Sequence, residues 1–114
     1  MSLRSTREAF SAALDRVTGV TGHVSRPSVY AEGDAWPLLG PGDRNSGDAF
    51  MITWAVRVFV PQDEVSAADW WDQHWDELYY ALQSVGFVDR FAPVAVPANG
   101  GDLLMYEITV RTGE

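Results

Sequence analysis

The stretch from Phe50 to Val60 constrains this chain more than any other. Phe50, Ile52, Trp54, Val56, Val58 and Val60 alternate with Met51, Thr53, Ala55, Arg57 and Phe59, the period of two of a β-strand, and Pro61 ends the run. Both alternating sets are largely apolar, so the strand is expected at the centre of a sheet. The rest of the chain must then supply its neighbours and a covering layer.

Two segments have helical spacing. Ser5 followed by Glu8 fits a capping box, and Phe10, Ala13, Leu14 and Val17 recur until Gly19 offers a left-handed stop, which predicts a helix from about Thr6 to Thr18. Arg7, Glu8, Ser11 and Asp15 form its polar face. A second capping box is read from Ser66 and Asp69. Trp71, Trp75, Leu78, Leu82 and Val85 follow in steps of four and three, predicting a helix over Ala67 to Val85 that lies on the sheet through this stripe and stops at Gly86. Asp69, Gln73, Asp76, Tyr80 and Gln83 fall on its wet side. Asp69 and Asp72 also suit the positive end of the helix dipole.

The remaining strands are shorter or interrupted. His23 to Tyr30 is strand-like but carries Pro27, so an edge strand or a bend is expected. Phe87 to Val96 reads as extended, with Pro93 inside it and Pro97 after it. Asn99-Gly100-Gly101-Asp102 is a turn. Leu103 to Arg111 closes the chain as a half-buried strand, Leu104, Tyr106, Ile108 and Val110 on one face and Met105, Glu107, Thr109 and Arg111 on the other. These elements predict a single α+β domain over residues 1–114, a mostly antiparallel sheet of four to five strands with two helices packed on one face.

Between Ala31 and Asp48 the composition shifts to Gly, Pro, Asp, Asn and Ser around an apolar island, Trp36 to Leu39. This is a long loop or a hairpin, at about residues 31–49. Connections beyond about 12–15 residues are commonly functional or disordered, and an exposed Trp36 would mark a contact site. Trp36-Pro37-Leu38-Leu39 reads equally as another strand returning to the sheet.

Composition excludes several function classes. Sixteen acidic residues against eight basic ones give a net charge of −8, which repels a phosphate backbone and disfavours specific nucleic-acid binding. With no cysteine there is no disulfide, thiolate metal site or cysteine nucleophile. No apolar run reaches about 18 residues, and Met1 to Asp15 lacks the apolar core of a signal peptide, so a soluble, unprocessed chain without membrane contact is expected.

The residues with chemical potential are few. In Asp69-Trp70-Trp71-Asp72-Gln73-His74-Trp75-Asp76-Glu77, Asp72 and Asp76 lie four apart and His74 and Glu77 three apart, so either pair could share a metal. The two pairs point in different directions, however, and the only other histidine is His23. Helix-start acids are already explained by the dipole. No Gly-x-Ser-x-Gly elbow presents a nucleophile, and the glycine-bearing turns Gly40-Pro41-Gly42-Asp43 and Asn99-Gly100-Gly101-Asp102 lack the lysine and following helix of a phosphate cradle. No catalysis, metal or cofactor is expected. Trp71 and Trp75 belong to the core stripe, whereas Trp70 lies off it beside His74 and is expected to meet a neighbour together with Tyr80 or Tyr79.

The order of elements, with the Val29-Tyr30 strand end, the long loop, Met51 to Pro61, the helix Ala67 to Val85 and the strand Tyr106-Glu107-Ile108-Thr109-Val110, resembles the tail-terminator and tail-completion proteins of long-tailed bacteriophages. The resemblance spans nearly the whole chain and is one of pattern, without a catalytic signature. It implies a virion protein of the tail or neck, assembled in the host cytoplasm. Such a protein forms a ring of typically six copies that caps the tail tube and meets the head connector. Its partners would be further copies of itself, the tail-tube protein and head–tail connector proteins, with DNA passing through an acidic ring. Partner contacts are expected at Trp36, Leu38, Leu39, Asp43 and Arg44 in the long segment and at Trp70 and Tyr80 on the second helix. A rival reading is a small-molecule or peptide-binding module with a pocket of Trp54, Trp70 and Tyr106.

Overall fold

Trp54 lies fully buried at the middle of a five-stranded sheet, in a computed structural model that describes residues 2–44 and 49–113. In chain order the elements are α1 (Leu3–Asp15), β1 (Thr21–Gly22), β2 (Asp34–Arg44), β3 (Phe50–Phe59), α2 (Glu64–Gln83), β4 (Phe87–Val96) and β5 (Leu103–Gly113). The strands are arranged β1-β2-β3-β5-β4, and only the β1–β2 pair is parallel. The expected α+β class and the central place of β3 are both found. Both helices cover the same face: α1 packs on β1 and β2, α2 on β4, and the two touch each other.

The alternation of β3 decides what each face buries. Ile52, Trp54, Val56 and Val58 point at the helices, pairing across to Thr112, Val110, Ile108 and Tyr106 of β5. There they meet Phe10 and Leu14 from α1, Val17 just after it, and Ala67, Trp71, Leu78 and Leu82 from α2 in one cluster. Phe10 meets Trp54 edge-on at 5.4 Å, and the buried indole Nε1 of Trp54 donates to the Thr112 hydroxyl at 2.9 Å.

The other face has a smaller core at one end. Trp36 and Met105 are fully buried there, on the side of Phe59, which pairs with Met105. Tyr30 closes over them, stacked on Trp36 at 5.4 Å and on Phe59 at 5.1 Å. Beyond this cap the face carries the cross-strand ion pair Arg57–Glu107 at 3.1 Å, both side chains partly exposed.

Several local expectations change. Of the edge strand or bend expected over His23 to Tyr30, the structure has the bend: the edge strand is Thr21–Gly22, followed by one further backbone bond from the His23 N–H to the Ala35 carbonyl at 2.8 Å. Pro27 lacks a donor, and the chain here crosses to the other face to deliver Tyr30. Asp34 fixes the crossing, accepting from the Ala31 N–H at 2.8 Å and lying 3.0 Å from the His23 ring. The segment read as a long loop or hairpin is a hairpin: β2 runs through Trp36-Pro37-Leu38-Leu39 and bulges between Leu39 and Gly42 before pairing again as far as Arg44 with Phe50. Residues 45–48 of that segment lie outside the described residues.

Both helices start earlier than predicted. Ser2 caps α1, accepting from the Ser5 N–H at 3.0 Å, while the Ser5 hydroxyl takes the reciprocal bond from the Ser2 N–H. Ser5 thus completes the box at its third position. Asp63 caps α2, its carboxylate accepting from the Ser66 N–H and hydroxyl, both at 3.0 Å. A carboxylate suits the positive helix end better than the Ser66 hydroxyl does. The Ser66 bonds, the backbone one first, hold the Asp63 carboxyl below its ordinary value of 3.8.

Candidate functional site

Of the residues named for metal chemistry, His74 and Glu77 are engaged otherwise. The ring of His74 stacks on Trp70 at 3.9 Å, and its Nδ1 lies 2.7 Å from the Trp70 carbonyl oxygen, one helical turn back. Glu77 accepts from the Thr18 N–H at 3.3 Å, which ties α2 to the segment after α1. Among the described residues no three His, Asp or Glu side chains group as a metal would need. None of the described helices is long and apolar enough to cross a membrane.

The pocket of Trp54, Trp70 and Tyr106 is not formed. Trp54 has no exposed surface, Tyr106 stacks on Trp71 at 4.4 Å, and Trp70 packs on the α1 side of α2. One open groove, of about 460 Å³, does lie between the C-terminal ends of the helices. Arg16, Asp76, Tyr80 and Ser84 line it, and Arg16 donates to the Ser84 hydroxyl across it at 3.1 Å.

The partner residues expected from sequence divide. Trp36 is corrected: its ring is buried under Tyr30 and has no surface to offer. Leu38 is half-buried on the sheet's other face, opposite Ala55. Leu39 is 49% exposed beside the bulge on the helix side, and Asp43 and Arg44 are exposed towards the hairpin tip. Arg44 lies over the ring of exposed Phe50 at 5.3 Å. Tyr80 is 79% exposed. Trp70 is half-buried against the core.

A second patch was missed. On the flank of α2 that faces β4, half-buried Trp75 lies 4.5 Å from Phe91 and 5.6 Å from Tyr79, and both of those rings are exposed. The signal was present in the sequence: Phe91 falls in a proline-bearing strand, which predicts an edge, and an aromatic ring on an edge has only one layer to hide under.

Both long edges of the sheet are open. Among the described residues β1 covers β2 only at Asp34 and Ala35, and β4 has no partner beyond β5. The Ala35 carbonyl faces β1, so the ladder's alternation turns Pro37 and Leu39 outward and Trp36 and Leu38 towards β3. By the same alternation, carried through β3 and β5, Pro93 faces outward on β4. Each edge therefore lacks a donor near its middle, a recognised guard against strand addition.

The chain matches no protein-family model, and no curated protein matches its sequence.

Proposed function

We propose that this protein is a structural virion protein of the tail-terminator type. Its copies associate into a ring that caps the tail tube and joins it to the head connector. The observation that supports this most is the placement of uncovered apolar side chains on two opposite flanks of one small domain, Leu39 and Phe50 on the β2 side and Tyr79 and Phe91 on the β4 side. Two different adhesive flanks suit head-to-tail assembly, which closes into a ring when the rotation between neighbours allows it. The sequence resemblance supplies the tube and the connector as further partners, and the acidic charge suits a wall along which DNA slides without sticking.

Light scattering after size exclusion, with negative-stain electron microscopy of the same fractions, tests the reading. Annular particles of several copies, alone or on added tail tubes, are expected. A chain that stays monomeric at high concentration and leaves tube length unchanged would overturn it. The genes beside this one give an independent check, with capsid, portal and tail-tube genes expected.

A further inference from the structure

We infer which surfaces meet: the exposed side chains Leu39, Arg44 and Phe50 of β2 and β3 together with the first turns of α1 seat on the α2–β4 corner of the next copy. This rests on the self-association proposed above.

The corner is aromatic and acidic. Tyr79 and Phe91 are each 40% exposed around Trp75. Exposed Asp72 and Asp76 precede Trp75 and Tyr79 by three residues, which makes them neighbours on the helix surface, and α2 itself contains no lysine or arginine, although Asp76 also lines the groove that Arg16 enters. Two such corners repel each other, which argues against a twofold contact of this flank with itself.

The opposite flank is apolar and locally basic. Leu39 and Phe50 are exposed on the hairpin, and Leu3 is 38% exposed at the start of α1. Arg4 and Arg7 lie together beside Val24 and Ser25, and Arg44 lies over Phe50. Arginines in the first turns of a helix stand against its dipole, and α1 has no acid in its first turn to offset them. Folding of α1 gives no reason for their position. The Arg4 side chain is 88% exposed and its ion pair with Glu8 spans 3.5 Å at the surface, an interaction weak enough in water to be exchanged for another carboxylate.

Arginine with aromatic rings, rimmed by complementary charge, is the composition of a protein interface core and its border. Charge complementarity, Arg4 and Arg7 against Asp72 and Asp76, thus names the occupant of each flank as the other flank of a second copy. The outward prolines Pro37 and Pro93 leave side chains, not backbone ladders, to make the contact.

Four proteins test it by light scattering across a concentration series: wild type, R4E/R7E, D72R/D76R, and the four substitutions combined in one chain. All four positions are exposed or half-buried, and circular dichroism verifies that each variant is folded. Each pair alone should raise the concentration needed for assembly at least tenfold, and the combined chain should return to within about threefold of wild type, as expected for rim charges that steer and register a contact. Either pair assembling like wild type, or a combined chain that fails to recover, overturns the pairing while the ring reading stands. A wild-type chain that stays monomeric throughout overturns both.

Discussion

Replacing Trp36 separates a core role from a contact role. The ring is fully buried, with Tyr30 stacked on one side. A Trp→Ala change in such a place removes the transfer energy of the whole indole and leaves a cavity, costing about 3–5 kcal/mol. The indole Nε1, however, is buried with no hydrogen-bond partner among the described residues, a state that itself costs about 1–3 kcal/mol. Trp36→Phe keeps most of the stacking and removes that orphan donor, so it should cost no more than about 1–2 kcal/mol. For a domain of this size about 4 °C accompanies each kcal/mol. W36A should then melt about 12–20 °C below wild type and W36F about 4–8 °C below, by circular dichroism at matched concentration. The reasoning fails if W36A melts within about 3 °C of wild type, the result a solvent-facing contact residue would give.

Three further outcomes follow from single interactions. Thr112→Val strips the acceptor from buried Trp54 Nε1 and should cost about 1–3 kcal/mol in urea unfolding, yet be close to neutral when added to Trp54→Phe; equal costs in both backgrounds would deny the bond. Gly33 and Gly100 share φ +89°, but a Cβ on Gly33 would lie 2.1 Å from the Gly19 carbonyl oxygen, whereas on Gly100 it meets nothing within 4 Å. Gly100→Ala should cost about 1–2 kcal/mol and Gly33→Ala more than about 4 kcal/mol, so similar melting points for the two would contradict the packing. Asp63 has a folded-state pKa below 3.8, so its contribution to stability is fully present above 3.8 and is lost as pH falls through the lower folded value. Asp63→Asn should flatten that acid limb of the melting profile, and an unchanged limb would remove the cap from the explanation.

How far the sequence could be read depended on how many periods each pattern repeated. β3 and the α2 stripe run over many residues, and both were placed correctly, because burial on a face enforces the period. Trp36-Pro37-Leu38-Leu39 holds too few residues to separate strand from loop, and its partner, β3, is recognised only once the hairpin closes. His23 to Tyr30 was left between an edge strand and a bend for a different reason. Val24, Val29 and Tyr30 have strand-like side chains, but Tyr30 is required on the far face of the sheet, and a segment crossing an edge cannot also extend it. The start of α1 is displaced because serines recur: Ser2 and Ser5 form one box, and only geometry tells which is the cap; that of α2 is displaced because Ser66 sits three residues after the true cap, Asp63. At the candidate site, Leu39 and Tyr80 were legible as exposed apolar positions, whereas Phe91 needed α2 to be laid beside β4 before its ring had neighbours.

The edges of the sheet connect fold to assembly. An open edge strand invites any other strand, and a ring protein has to accept one neighbour on each side without nucleating a fibre. Here each edge gives up a donor near its middle, at Pro37 and at Pro93, and β4 is further bent by a bulge at Val88 and Arg90 that lets Asp89 reach Arg111 at 3.7 Å. What remains for recognition is side-chain chemistry, and it differs between the flanks, with arginines and aliphatic residues beside β2 and carboxylates and aromatic rings beside β4. Backbone pairing would bind any exposed strand, but side chains of opposite character on opposite flanks bind only in one order. Prolines at both edges keep this small sheet from adding strands indiscriminately, and the unlike side chains of the two flanks would give the proposed self-contact its direction.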